Sequence, residues 1–389
     1  MSDRTHFGDY QRGIYAAGLK GQLSELPLRL DDLERLAAEK MTPDAYWYVA
    51  GGAGEGTMRA NREAFDRFRL VPRMLTDVSR RDLGTTVLGQ RLPVPLLLAP
   101  IGVQGIVHPE GELATAAAAA EVGVPMILST VSSKPMEAVA ETLQETPRWF
   151  QLYWPSDDAV ARSFLQRAEA AGYSAIMVTL DTKMLAWRER DLERAYLPFL
   201  RGEGLANYVT DPIFREGLEA PPEQDMWPAV RRWGRIFSSP EKTWDDLARL
   251  REWTRLPIVL KGILHPEDAL RAVAAGVDGI VVSNHGGRQV DGSIAALDAL
   301  PEVVDAVAGR IDVLFDSGLR CGSDVLKAIA LGADAVLLGR PYIWGLATAG
   351  AAGVAEVLRR LLADIDLSLA LCGFSRLDQL NRSVLRSRP

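Results

Sequence analysis

Cysteine is almost absent from this chain of 389 residues: Cys321 and Cys372 are its two, too few for a disulfide framework and in keeping with a reducing cytoplasm, the compartment expected here. Histidine is nearly as scarce, with four. Runs of like charge are missing too. The 44 basic and 51 acidic side chains leave a net charge of −7, and no Lys or Arg tract is long enough to coat a phosphate backbone, so nucleic acid is not an expected partner. Long apolar runs are also absent. The most apolar stretch, 92–107, is interrupted by Pro93, Pro95 and Pro100 and falls short of the roughly 20 residues that span a bilayer, so no membrane association is expected. Asp3, His6, Asp9 and Arg12 break up any apolar core near the amino terminus, and no signal peptide is read there. No GxGxxG follows the first strand candidate, which leaves a nicotinamide dinucleotide on a Rossmann unit without support, and no metal is expected.

The chain does have an ordinary apolar fraction, 48%, arranged as a repeat. Eight short apolar runs alternate with helical stretches: PLLLAP (95–100), PMILST (125–130), RWFQLY (148–153), AIMVTLD (175–181), PIVLK (257–261), GIVVS (279–283), IDVLFD (311–316) and AVLLG (335–339). AGYSAIMV, AGVDGIVV and LGADAVLL share one pattern, in which a helix ends at Gly172, Gly276 or Gly332 and a buried strand begins within three residues. Such repetition predicts an α/β fold of parallel strands with crossover helices. Eight units suit a (β/α)8 TIM barrel better than an open sheet, because the polar residues gather at the carboxyl ends of the strands: Ser129, Gln151, Tyr153, Thr179, Asp181, Lys261, Ser283, His285, Asp316 and Arg340.

Between the runs, helices are expected over 112–122, 135–143, 157–171, 244–253, 267–275, 323–331 and 353–364. Those over 30–40, 43–50 and 58–65 form an amino-terminal helical cap. Residues 1–30 read as an arm and 31–389 as a single barrel domain. The interval 183–243 is far longer than the about 2 to 6 residues usual after a strand, and reads as a lid over the barrel mouth. Trp187, Trp227, Trp233, Tyr196, Tyr208 and Phe214 give it the apolar anchors that disordered segments lack.

Strands seven and eight end in FDSGLRCG (315–322) and LLGRPY (337–342). Loops in these positions of a barrel often hold phosphate, because glycine lets backbone N–H groups approach and a following helix presents its positive end. Arg320 and Arg340 add charge-assisted bonds. Lys261, in VLKGI, is an ammonium that burial penalises unless an anion answers it; it serves as a fixed cation or as a Schiff-base lysine. In SNHGGRQ (283–289), His285 follows a buried strand directly and is the candidate general base, with Asp181 as its orienting carboxylate. His108 and His265 both occur as His-Pro-Glu, with the proline at a first helical position. Arg188, opening the lid in AWRERDL, and Arg288 converge on the mouth and suggest a ligand bearing a carboxylate, whereas Arg190 reads as solvated. Tyr48 and Tyr153 offer hydroxyls to the same ligand.

Taken in order, APIG…HPEGE, FQLY, TLDT…WRERDL, LKGI, SNHGGRQ, FDSGLR and LGRP resemble the FMN-dependent L-2-hydroxy acid oxidising enzymes, from about Leu30 to about Arg382. Within that family the arm IYAAGLKG, the tripeptide Ile101-Gly102-Val103 and the lid segment PFLRG…NYVTDPIF are most similar to the lactate 2-monooxygenase branch. The resemblance implies an FMN enzyme acting on a small 2-hydroxy acid with oxygen, assembled as a homotetramer or octamer. His285 would take a proton from the substrate while a hydride equivalent passes to the flavin, with Asp181 supporting the imidazolium. Tyr48, Tyr153, Arg188 and Arg288 would bind substrate. Lys261 would face the pyrimidine end of the flavin, and Pro100, Gly102, Ser129, Gln151, Thr179 and Ser283 would border the ring system. Asp316, Gly318, Arg320, Gly339 and Arg340 would hold the ribityl chain and phosphate. Many oxidase members of the family carry Ala where Gly102 stands, whereas the lactate monooxygenase branch has Gly, which implies altered room beside the flavin and a 2-keto acid caged with peroxide; several carry an aromatic residue where Val131 stands, which implies a substrate larger than lactate.

Overall fold

The computed structural model describes residues 6–387. Eight parallel strands close into a barrel: β1 (Leu96–Leu98), β2 (Met126–Ser129), β3 (Arg148–Leu152), β4 (Ile176–Thr179), β5 (Ile258–Ile263), β6 (Gly279–Val282), β7 (Asp312–Phe315) and β8 (Ala335–Leu338). Each pairs with its neighbour in sequence, and β8 returns to β1 through Val336↔Leu96 and Leu338↔Leu98. All eight coincide with the apolar runs. The capping glycines Gly172, Gly276 and Gly332 sit at φ +73°, +69° and +112°, where a side chain would be strained.

The alternation of side chains along each strand divides the apolar residues into two groups. Leu96 and Leu98 face the surrounding helices, while Leu97, Ile127, Trp149, Met177, Val259, Val281, Leu314 and Leu337 fill the barrel interior. One end of that interior is plugged by the hairpin Thr85–Val87/Gln90–Leu92, which contributes Val87, Leu88 and Leu92 and is tied down by Leu88 N–H donating to Asp312 Oδ2 at 2.5 Å. The other end is left to the cap and the lid.

The cap helices are Leu30–Lys40, Pro43–Ala50 and Gly56–Asp66, as expected. The arm, of which residues 1–5 lie outside the described residues, contains a helix over Asp9–Gly18 that the sequence did not announce. It buries no residue and is held by Tyr10 bonding to Glu356 and by Gly8 N–H donating to the buried Asp366, which also takes two bonds from Arg81 at 2.7 and 2.8 Å. A helix over Ala296–Val307, with Pro301 inside it, lies between β6 and β7, where none was named. The expected helix 353–364 is part of a longer element, Arg340–Leu371, broken at Ala349 and Gly350, whose φ values of −151° and +57° leave the helical region. His265 caps Pro266–Ala274, its Nδ1 accepting from Glu267 N–H at 3.2 Å, but His108-Pro109 forms a turn and that helix starts only at Glu112. Among the described residues no helix is long and apolar enough to cross a membrane.

The lid is folded. Tyr208 packs at 4.9 Å on Phe164 of the helix Asp158–Ala170 and at 5.2 Å on Phe214, Asp211 pairs with Arg167 at 3.2 Å, and Trp233 lies between Phe199 and Phe237 at 4.8 and 4.9 Å. Two of its expected anchors are not anchors: Trp187 is 75% and Trp227 52% exposed. Phe214→Ala removes a fully buried ring and should cost about 3–5 kcal/mol. The expected readouts are a lower urea midpoint and new protease cleavage within 183–243; an unchanged midpoint would contradict this packing.

Candidate active site

The inward phase of the strands runs on past their apolar residues. Two positions after Ile127, Trp149, Met177, Val259, Val281 and Leu314 stand Ser129, Gln151, Thr179, Lys261, Ser283 and Asp316, and after Leu97 and Leu337 stand Ala99 and Gly339. The period of two that builds the core therefore also delivers a polar layer to the open end. Ser129 Oγ donates to Gln151 Oε1 at 3.0 Å, Gln151 Nε2 to Thr179 Oγ1 at 2.9 Å and Lys261 Nζ to Ser283 Oγ at 2.9 Å. These buried residues satisfy one another beneath the mouth.

Above them opens the cavity of the barrel mouth, concave and lined by a few convergent polar groups as ligand pockets are. Tyr48, Tyr153, Arg188, Lys261, His285 and Arg288 share its wall with Pro100, Gly102, Asp316, Gly318, Arg320, Gly339 and Arg340. Thirteen expected site residues thus meet on one surface, while Ser129, Gln151, Thr179, Ser283 and Asp181 stand behind it. Arg190 is not on the wall; it covers the Trp47 ring at 4.4 Å and pairs with Glu55 at 3.4 Å, so it is partly covered where full solvation was expected. Thr182, Leu185, Phe199, Phe237 and Ser317 also line the cavity and were not anticipated. Thr182 lay inside the quoted TLDT motif as a second polar residue at a strand end; the two phenylalanines carried no signal beyond belonging to the lid.

His285 leaves β6 with φ +60°, a left-handed turn unusual for a non-glycine residue, and its backbone N–H donates to Ser283 Oγ at 3.0 Å. Its Nδ1 lies 2.7 Å from Asp181 Oδ1, so the neutral ring carries its proton on Nδ1 and leaves Nε2 as a base. Burial pushes His285 below 6.5; Asp181 opposes this and Lys261 reinforces it. Burial acts on Asp181 in the opposite sense, but His285, Lys261 and Thr182 together hold its carboxyl below 3.8. Lys261, 3.1 Å from Asp316 Oδ2, stays charged: burial favours the neutral amine, yet Asp316 and Asp181 raise it above 10.5. Burial also raises both Tyr48 and Tyr153, whose phenols remain protonated donors.

The guanidiniums are anchored on backbone. Arg188 donates from Nε to Arg288 O at 3.1 Å and from Nη2 to Gln289 Oε1 at 3.0 Å, and Arg288 donates to Gly51 O at 2.7 Å. Arg340 donates to Val49 O, Gly286 O and Gly51 O at 3.0, 3.0 and 2.9 Å. Three of its five N–H groups therefore fasten the cap helix to the β6 loop, a fourth reaches Met58 Sδ at 3.6 Å, and one remains for an anion. Burial, with Arg188 beside it, lowers Arg288 to about 10; burial also lowers Arg320, with Arg62 beside it, and Arg340, with Arg288 and Arg320 beside it. The helix beginning at Arg340 has no side-chain cap, and a Cβ at Gly339 would meet nothing nearer than Ile101 Cδ1 at 4.0 Å. Uncapped N–H groups, open space and clustered guanidiniums make an anion site at the ends of β7 and β8.

Residues 37–387 match the family described as FMN-dependent dehydrogenase. The chain belongs to that family. It is 45% identical over 360 residues, 92% of each chain, to an L-lactate oxidase of Lysinibacillus sphaericus. It is 44% identical over 389 residues, 98% of this chain and 96% of the other, to an FMN-dependent alpha-hydroxy acid dehydrogenase of Penicillium citrinum. The crystal structure of mandelate oxidase matches with a TM-score of 0.82 at 39% identity, covering 93% of this chain and 98% of that one. The protein is thus an FMN-dependent 2-hydroxy acid oxidoreductase. The observed donors fit FMN: the anion site suits its phosphate, and the polar layer with Lys261 suits the edge of a flat heterocycle.

NMR titration of the His285 imidazole should give a pKa below 6.5, because burial and Lys261 outweigh Asp181. A value above 6.5 would contradict that balance.

Proposed function

We propose that this enzyme oxidises an L-2-hydroxy acid with dioxygen and that its outcome is that of a lactate 2-monooxygenase: L-lactate and O2 give acetate, CO2 and water. Bound FMN supplies the acceptor for the hydride equivalent that leaves the substrate. In this reading His285 Nε2 takes the hydroxyl proton, and Asp181 stabilises the resulting imidazolium. Arg188 and Arg288 hold the carboxylate with the Tyr48 hydroxyl, and the Tyr153 hydroxyl completes the substrate's polar contacts. Lys261 stays charged against Asp316 and offsets negative charge that gathers only as the substrate is oxidised. Ser129, Gln151, Thr179, Ser283, Pro100 and Gly102 border the flavin ring, and Asp316, Gly318, Arg320, Gly339 and Arg340 hold the ribityl chain and phosphate.

The observation that carries the reading is the fixed imidazole: His285 shares a wall with two guanidiniums, and its Nδ1 is tied to Asp181. The resemblance at Gly102, in the arm and in the lid supports the monooxygenase outcome, and Leu185, Phe199 and Phe237 line the same cavity as Gly102 and Val131. A Cβ at Gly102 would lie 2.6 Å from both Val131 Cγ2 and Val131 O, so the wall that a methyl makes in Ala-bearing relatives is made here by Val131. The second reading, an oxidase that releases the 2-keto acid and hydrogen peroxide or a dehydrogenase with another acceptor, is favoured by the names of the relatives above. The homo-oligomer and the cytoplasm belong to the proposal, the latter supported by two free cysteines.

Product analysis over a panel of L-2-hydroxy acids in the presence of oxygen tests the outcome. Acetate and CO2 from L-lactate are expected, whereas stoichiometric pyruvate and peroxide would overturn the monooxygenase reading. His285→Ala should retain FMN yet slow anaerobic bleaching of the flavin by about 10²- to 10⁴-fold; near wild-type bleaching removes His285 from the mechanism.

A further inference from the structure

Gln289 closes the SNHGGRQ segment, and its amide is fully engaged. Arg188 Nη2 can only donate, so the atom 3.0 Å from it is the amide oxygen; Asp181 O can only accept, so the atom 2.6 Å from it is the amide nitrogen. The orientation of this amide is therefore fixed by its partners. Its second N–H donates to Thr182 Oγ1 at 3.0 Å. Having accepted there, the Thr182 hydroxyl gives its own proton to Asp181 Oδ1 at 3.1 Å, the atom that also takes the His285 Nδ1 proton at 2.7 Å. Thr182 Oγ1 is 3.5 Å from His285 Nδ1, beyond the reach of a good bond. Every bond in this series points toward the carboxylate, from the lid arginine inward.

We propose that Gln289 and Thr182 are positioning residues that join the substrate-facing Arg188 of the lid to the His285–Asp181 pair, so that seating the lid and aiming the base are one event. This rests on His285 being the base in the reading above. Arg188 grips two successive residues of the β6 loop, Arg288 O and Gln289 Oε1, and Gln289 carries that grip to the end of β4. With both Thr182 and Gln289 in place, the imidazole proton stays on Nδ1 and Nε2 faces the cavity unprotonated. The charged and titratable groups around the pair are Asp181 after β4, Lys261 on β5 with its partner Asp316 after β7, Arg188 on the lid, Arg288 on the β6 loop and Tyr153 after β3. Loss of the Thr182 donor leaves more negative charge on Asp181 Oδ1, which favours the imidazolium.

The test uses the FMN-loaded enzyme with Gln289→Met, Gln289→Glu, Thr182→Val and the double variant Gln289→Met/Thr182→Val. Two readouts are taken with L-lactate and L-mandelate as probes: anaerobic bleaching of the flavin between pH 5 and 8, and the His285 pKa by NMR, which needs no turnover. Gln289→Met and Thr182→Val should each move the His285 pKa and the rising limb of the bleaching profile up by about half to one pH unit. Gln289→Met should also raise the half-saturating hydroxy acid concentration by about tenfold, since Arg188 loses an acceptor. Gln289→Glu keeps that acceptor, so it should restore half-saturation but not the pH profile. The double variant should shift no further than the larger single one, because both act through one series of bonds. Additive shifts, or a His285 pKa that stays put in both single variants, overturn the proposal. Wild-type enzyme that no 2-hydroxy acid bleaches overturns the functional reading and this one together, whereas bleaching of the wild type with unmoved variants overturns this one alone.

Discussion

Five cations converge on one cavity: Lys261, Arg188, Arg288, Arg320 and Arg340. Only Lys261 has a carboxylate at bonding distance within the wall, Asp316 at 3.1 Å; Arg188 has Asp191 at 3.8 Å, and the other guanidiniums lean on backbone carbonyls. Removing charge from water is costly unless an opposite charge compensates it, and carbonyl dipoles compensate only part. The mouth of the barrel is therefore a standing demand for anions. FMN brings a phosphate and a 2-hydroxy acid a carboxylate, so the ligands of this family carry the charge that such a site calls for.

The fold keeps those cations where they are. The interior phase of the strands carries Lys261 and Asp316 to the same level, the hairpin at 85–92 seals the opposite end, and the lid closes over the top through a cluster of aromatic rings. His285 is neutral because it shares this cationic, buried setting, and it is aimed because Asp181 fixes one side of its ring. One electrostatic circumstance thus supports both ligand capture and a base ready to accept a proton.

The strands, the polar residues at their carboxyl ends and the lid were legible because they rest on local regularities: a period of two, glycine caps, and a connection too long for its place. The helix Asp9–Gly18 was not: it buries no residue, and the contacts that hold it, Tyr10 with Glu356 and Gly8 with Asp366, come from the far end of the chain. Trp187 and Trp227 show the converse failure, in which a large ring suggests burial that only tertiary packing decides. Arg340 was read as a phosphate ligand alone, yet two of its donors bind carbonyls nearly 300 positions away in sequence, a fact that no local pattern encodes. The same holds for Gln289: its motif was visible, but the partners that give it a role come from the lid and from β4.

The most direct test of the cationic demand compares the affinity of the flavin-free enzyme for FMN with its affinity for riboflavin, which keeps the ring and ribityl chain but lacks the phosphate. Charge-assisted hydrogen bonds contribute roughly 1.5–3 kcal/mol each, so losing those from Arg320 and Arg340 should weaken binding by about 10²-fold or more. Equal affinities for the two flavins would contradict the account.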